Sequence, residues 1–299
     1  MSIEVKNVSK IYGSQKALNN VSFNVNPGEI TGFLGPNGAG KSTMMKIITC
    51  YLPQSSGDVK VCGHDVSTNS VEVRKHIGYL PEHNPLYLDM YIKEYLEFIA
   101  GIHKVSKSKI PEMIEMTGLG REQNKLIGAL SKGYRQRVGI AQALIHDPKV
   151  LILDEPTTGL DPNQLVDIRK LIKDIGREKT VMLSTHIMQE VEAICDRVII
   201  VNKGNMVANQ ATGDLQRSSG NQQIITVEFG KQLENKVFKT IPEIKNAENI
   251  KGNLWRLTVQ GNKDIRSEIF NIAVSQNTII LHLTREELKL EDVFHQLTK

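Results

Sequence analysis

Nine consecutive residues, Gly35-Pro36-Asn37-Gly38-Ala39-Gly40-Lys41-Ser42-Thr43, have the composition and spacing of a loop that holds phosphate. Glycines without a Cβ let successive backbone N–H groups turn inward around anionic oxygens. A helix starting near Lys41 would aim its positive end at the same charge. Lys41 adds a mobile cation, and the Ser42 hydroxyl is a hard oxygen suited to Mg²⁺. A second run, Val150-Leu151-Ile152-Leu153-Asp154-Glu155, is an apolar stretch ending in two carboxylates. At the carboxyl edge of a parallel sheet, Asp154 would hold Mg²⁺ through its water shell. Glu155 would accept a proton from a water attacking the terminal phosphorus. Together the two runs point to hydrolysis of a nucleoside triphosphate.

The elements that must position these groups follow from the patterning around them. Ile30-Thr31-Gly32-Phe33-Leu34 reads as the strand before the loop, and Met44 to Tyr51 has helical spacing after it. Val150 to Leu153 is apolar on both faces, as a central parallel strand requires. Strand signals vanish between Tyr87 and Leu130, where Ile92 to Ile102 and Ile110 to Thr117 read as helices and Gly118 ends the second. A helix over Leu165 to Gly176 and strands near Thr180 to Ser184 and Arg197 to Val201 complete an α/β unit with a helical subdomain at about 87–130. The polar stretch Gln216 to Gln223 is the expected linker, which gives domains at 1–219 and 220–299. Beyond it the order is strand (Ile224 to Phe229), helix (Lys231 to Thr240), strand (Ile244 to Ile250), strand (Leu254 to Val259), helix (Asp264 to Ser275), strand (Thr278 to Leu283) and a last helix (Leu290 to Leu297). That order predicts a small α+β ferredoxin-like domain.

Leu130-Ser131-Lys132-Gly133-Tyr134-Arg135-Gln136-Arg137 resembles the signature motif of ABC-type ATPases, whose usual form is Leu-Ser-Gly-Gly-Gln. Ser131 and the second glycine, Gly133, are kept; Lys132 and Tyr134 depart from that form. The remaining order is also similar to an ABC cassette over residues 1 to about 219: Tyr12, the paired carboxylates, Pro156-Thr157-Thr158, Gly159-Leu160-Asp161 and Ser184-Thr185-His186. The resemblance implies a P-loop cassette binding ATP and Mg²⁺. Tyr12 would stack on adenine, Glu155 would act as base with His186 as the switch histidine, and Asp161, in the D-loop after the carboxylates, would be among the nucleotide-binding residues. It also implies a head-to-tail homodimer in which Lys41 of one copy and Ser131 of the other hold the same γ-phosphate. The family usually has glutamine where Gly78-Tyr79-Leu80-Pro81-Glu82-His83 places Glu82, so the group expected to face the metal is a carboxylate here. Leu288-Lys289-Leu290-Glu291-Asp292-Val293-Phe294 resembles the ending of ATPases that serve ABC-2 exporters, gliding-motility-associated members among them. Such a subunit would drive separate membrane-spanning permease subunits from the cytoplasmic face of the inner membrane.

Composition agrees with a folded chain of about two domains: 40% hydrophobic and 23% charged residues exclude disordered and fibrous classes. The net charge of +4 is spread evenly rather than gathered in a stripe, and a single Trp255 offers no stacking platform, so no nucleic-acid partner is expected. No apolar run reaches the ~18 residues of a membrane span. Met1 to Lys6 alternates like a half-buried strand rather than a signal peptide, which predicts a cytoplasmic chain. Cys50, Cys62 and Cys195 have no metal-ligand spacing and no disulfide is expected. A soluble ABC-type ATPase acting on ribosomes or DNA is the competing class. One phosphate loop and no sustained heptads weigh against it. A P-loop kinase or GTPase lacks support, because no Asn-Lys-x-Asp motif is present.

Overall fold

The structure is a computed structural model and describes residues 1–214, 222–261 and 263–287. The chain forms two compact units, one over Met1–Thr212 and one beginning at Gly213. The division thus falls seven residues before the expected boundary at 219/220, and much of the polar stretch expected to link the units lies outside the described residues.

In the first unit, β1 (Ile3–Tyr12) and β2 (Gln15–Val25) form a hairpin closed by Gly13-Ser14. β3 (Ile30–Leu34) then leads into α1 (Lys41–Ile48). Further on come β4 (Ser56–Val61), β5 (His64–Asp65), α2 (Ser70–His76) and β6 (Ile77–Leu80). An antiparallel sheet has the order β2-β1-β4-β5. The alternation read in the first residues is realised: Ile3, Val5 and Val8 are buried while Lys6 and Asn7 are exposed. The pairing of β1 with β4 is long-range and was not foreseen.

The helical subdomain contains α3 (Ile92–His103), α4 (Lys109–Met116) and a short 3₁₀ turn, Ile127–Ala129. Gly118 follows α4 with φ of 66°, a left-handed residue that ends the helix as the sequence indicates. α5 (Lys132–Leu144) starts directly after Ser131, whose side chain caps it by accepting from Tyr134 N. Next come β7 (Val150–Asp154), α6 (Pro162–Gly176), β8 (Thr180–Thr185), α7 (Met188–Ile194), β9 (Arg197–Asn202) and β10 (Asn205–Ala211).

The central sheet has the order β10-β9-β3-β8-β7-β6, with β9, β3, β8, β7 and β6 parallel and β10 an antiparallel edge. Every residue of β3, β7 and β8 is buried. Each fully buried Leu, Ile or Phe there contributes ~1.5–3 kcal/mol. Strand β8 lies between β3 and β7, so the phosphate loop, the two carboxylates and Ser184-Thr185-His186 leave the same edge side by side.

The second unit contains β11 (Gln222–Phe229), β12 (Ile244–Lys251), β13 (Leu254–Gln260), α8 (Arg266–Ser275) and β14 (Ile280–Glu287). Its antiparallel sheet has the order β12-β13-β11-β14, as a ferredoxin-like order of elements requires. The helix expected over Lys231 to Thr240 is instead a 3₁₀ helix, Asn235–Thr240. Val237 and Thr240 are poor helix formers, and Pro242 holds the preceding Ile241 extended (φ −105°, ψ 107°). Phe238 anchors this turn, its ring 4.8 Å from Trp255 and 6.1 Å from Phe229. The last expected helix, Leu290 to Leu297, and the segment Leu288 to Phe294 lie outside the described residues.

Candidate functional site

The loop after β3 needs two left-handed glycines. Gly38 has φ of 79° and Gly40 of 106°. A Cβ on Gly40 would lie 2.4 Å from the Ala17 carbonyl oxygen, so no side chain fits there. Gly40 is the N-cap of α1, and Lys41 follows as its first residue. The Lys41 ammonium donates to the carbonyls of Gly35 (2.8 Å) and Pro36 (3.3 Å) and lies 3.3 Å from Glu155 Oε1. Lys41 and Glu155 are each only 6% exposed, so this is a buried ion pair. Ala39 is buried beneath the loop.

At the end of β7 the two carboxylates have separate environments. Asp154, 2% exposed, accepts from Ser42 Oγ (3.2 Å) and Ser184 Oγ (2.5 Å) on one oxygen, Oδ1. Glu155 sits in the left-handed region, φ 51°, a conformation that costs a non-glycine residue ~1–3 kcal/mol. Its N–H is held by Ser184, through the hydroxyl at 3.0 Å and the carbonyl at 3.1 Å. Glu155 Oε2 accepts from Thr158 Oγ1 (3.0 Å) and lies 2.9 Å from His186 Nδ1. Against a carboxylate that contact is a hydrogen bond only when Nδ1 carries the proton and donates.

A cavity of about 710 Å³ opens over these groups. From the phosphate loop it is lined by Asn37, Gly38, Gly40, Lys41, Ser42 and Thr43. Glu82, Glu155 and His186 line it from the sheet edge, and Tyr12 from the hairpin. Tyr12 is half-exposed, with Lys10 Nζ 5.2 Å from its ring centroid. Lys10 is itself fixed by donating to the Pro53 carbonyl at 2.6 Å. Burial, with Asp154 and Glu82 nearby, pushes the Tyr79 phenol of β6 well above its usual range, so it stays neutral beside the site. Sequence reasoning missed Gln15, Ala17 and Thr158 in the lining. Thr158 stood in plain view beside the carboxylates, whereas Gln15 and Ala17 reach the cavity because their hairpin packs on the distant loop at Gly40.

Seven expected site residues do not line this cavity: Gly35, Pro36, Ala39 and Asp154 belong to the loop and strand end that frame it, and Ser131, Gly133 and Asp161 lie elsewhere. Ser131, exposed at the tip of α5, accepts from Tyr134 N (3.4 Å) and Gln164 Nε2 (3.3 Å). Gly133 lines a separate cavity of about 550 Å³ with Arg121, Tyr134, Arg137 and Gln164. Asp161 caps α6 by accepting from Asn163 N (3.1 Å) and Gln164 N (2.9 Å), a local structural task that its place in the sequence did not announce.

Among the described residues no group of three or more His, Cys, Asp or Glu is arranged to hold a metal ion. The oxygen set of Ser42 and Asp154, joined by a hydrogen bond, nevertheless suits Mg²⁺. This ion keeps several waters and takes few protein ligands besides phosphate oxygens. No helix among the described residues is long and apolar enough to cross a membrane.

The family model for ABC transporters matches residues 18–158. Bacitracin transport ATP-binding protein BcrA of Bacillus licheniformis is 33% identical over 303 residues, covering 99% of this chain and 96% of that protein. Nod factor export ATP-binding protein I of Rhizobium meliloti is 37% identical over 213 residues, covering 70% of this chain and 64% of the other. Among solved structures, a dimeric bacterial ABC transporter cassette is 30% identical with a TM-score of 0.63, covering 70% of this chain and 98% of that one. A cassette in a post-hydrolysis state bound to ADP and Pi is 28% identical with a TM-score of 0.64, covering 70% and 98%.

Proposed function

The chain belongs to the ABC transporter family as an ATP-binding subunit and is an ATPase, and from that premise we propose that it hydrolyses ATP in the cavity over Lys41 and Glu155 to power an exporter. The observation that carries this reading is the buried Lys41–Glu155 pair, with His186 on Glu155 from the exposed side, at one end of three adjacent parallel strands. Backbone N–H groups of the loop and the start of α1 receive the phosphates, and Lys41 exchanges its carbonyl partners for phosphate oxygens. Tyr12 offers a ring face for the adenine. Ser42, with Asp154 behind it and Glu82 across the cavity, would hold Mg²⁺, which when bound neutralises charge on the β- and γ-phosphates. Glu155 takes the proton of the attacking water. His186 fixes the carboxylate through Nδ1–H and couples its position to the γ-phosphate.

Ser131 and Gly133 lie outside the cavity, which supports a head-to-tail homodimer in which each copy closes the other's site. The names of the bacitracin-transport and Nod-factor-export relatives support the exporter reading, with separate membrane-spanning permease subunits and a place on the cytoplasmic face of the inner membrane. The finer ABC-2 assignment and a link to gliding motility rest on the resemblance of Leu288 to Phe294, outside the described residues. The alternative of an ATPase acting on ribosomes or DNA is separated by asking what co-purifies: membrane proteins are expected.

The direct test is Glu155→Gln. Hydrolysis falls at least ~100-fold while ATP affinity stays within a few-fold, because shape is kept and only the base is removed. Turnover at the unsubstituted rate would dismiss Glu155 as the base.

A further inference from the structure

Behind the catalytic pair stands a carboxylate that takes no part in the chemistry described above. Glu190, on α7, is completely buried. A carboxylate removed from water needs hydrogen-bond donors, and the structure supplies two hydroxyls. Thr157 Oγ1 donates to Glu190 Oε1, and Thr185 Oγ1 donates to Oε2 at 2.7 Å. Thr185 Oγ1 in turn accepts from the N–H of Ile187 at 3.0 Å, so its single proton is committed to Glu190.

The two threonines belong to different loops. Thr157 is two residues after Glu155, and Thr185 immediately precedes His186. We infer that Glu190 is a positioning residue: its two oxygens tie the loop carrying the general base to the loop carrying its histidine, and so set the separation at which Glu155 and His186 meet. The inference rests on the ATPase reading above and adds a residue to it.

The direct bond between Glu155 and His186 does not hold that separation by itself. His186 is substantially exposed, and Glu155 keeps a left-handed backbone that an ordinary loop would relax. Ser184 fixes Glu155 from the amide side only. The connection through Thr157, Glu190 and Thr185 closes a ring of contacts around the pair from the buried side. A carboxylate suits that place because it accepts on both oxygens and donates on neither. A glutamine of the same shape would present an N–H₂ to one threonine, whose hydroxyl would have to turn away. At Thr185 that hydroxyl already accepts from Ile187, and its proton would be left without a partner.

The test uses the full chain, steady-state ATP hydrolysis with Mg²⁺ and rates expressed per folded molecule. Glu190→Gln and Thr185→Val are each expected to lower kcat about tenfold with KM for ATP within twofold, since the base is displaced while the phosphate loop is untouched. Thr185→Ser, which keeps the hydroxyl, is expected to return kcat to within twofold of the unsubstituted chain. Should Glu190→Gln not fold, the Thr185 pair decides alone. A kcat per folded molecule within twofold in Thr185→Val, or an equal loss in Thr185→Ser, overturns the inference by reducing the contact to one of stability. Turnover of the unsubstituted chain in the same assay keeps the two readings apart. If it hydrolyses ATP and the variants match it, only the role of Glu190 falls; if it does not, the cavity over Lys41 is not the hydrolytic site.

Discussion

The tips of α1 and α5 are both helix N-termini reached from a short turn, yet they face opposite conditions. At α1, Lys41 is folded under its own loop, and its ammonium is met by two carbonyls and a buried carboxylate. At α5, Ser131 is exposed and its hydroxyl accepts two long contacts among the described residues, from Tyr134 N and Gln164 Nε2. The first tip is organised by this chain's own residues, and the second presents its groups outward. The difference supports the proposed reading, in which one chain builds most of a phosphate cradle and offers a detached part to another copy's cradle.

Lys41→Ala would break the first tip and has the largest expected effect. ATP affinity and hydrolysis both fall by about 100-fold or more, read by nucleotide titration and phosphate release. The substitution also leaves Glu155 buried without its cation, a loss of ~3–5 kcal/mol in urea unfolding.

Ser131→Ala would break the second tip alone. Hydrolysis falls about tenfold with ATP affinity of the single chain unchanged, and stability drops by about 1 kcal/mol because the cap of α5 is removed. Equal losses of affinity at both tips would erase the contrast between them.

The Glu82 carboxylate sharpens the comparison further, since it lines the cavity where the family has an amide. Glu82→Gln is expected to raise the Mg²⁺ concentration for half-maximal hydrolysis a few-fold. An unchanged Mg²⁺ curve would remove Glu82 from the metal's surroundings.

The smallest effect concerns α3 and the end of α5, away from both tips. His146 donates through Nε2 to Ile77 O (3.0 Å), and its ring stacks on His103 at 4.2 Å. Burial first, then the His103 charge and Lys179, push its pKa down to about 4 despite the opposing Ile77 carbonyl and Asp147. The ring is therefore neutral in the fold and takes a proton on unfolding below pH 6.5, its ordinary value. The unfolded chain binds more protons in that window, so stability is full above pH 6.5 and is lost as pH falls toward about 4. Urea midpoints measured across this range should decline for the unsubstituted chain and flatten in His146→Gln.

What could be read from the sequence divides in the same way as the two tips. The phosphate loop, the paired carboxylates and His186 are local patterns on strands apolar enough to announce themselves, and they come together because β8 lies between β3 and β7. The expected ferredoxin-like order of strands is present too, because alternation and short turns are local. The β1–β4 pairing of the N-terminal sheet, the approach of Ala17 to Gly40 and the burial of Glu190 depend on residues far apart in the chain, for which no local signal exists. Asp161 illustrates a residue whose type was legible and whose task was not: it caps α6, accepting from Asn163 N and Gln164 N on Oδ1.

The central claim is that the nucleotide joins the two tips across a pair of chains. It is tested most directly by the mass in solution of Glu155→Gln, which should keep ATP without cleaving it. With saturating ATP and Mg²⁺ the account predicts twice the mass of a single chain, returning to a single chain when Ser131→Arg is added to the same protein. A mass that stays at one chain with ATP bound would contradict it.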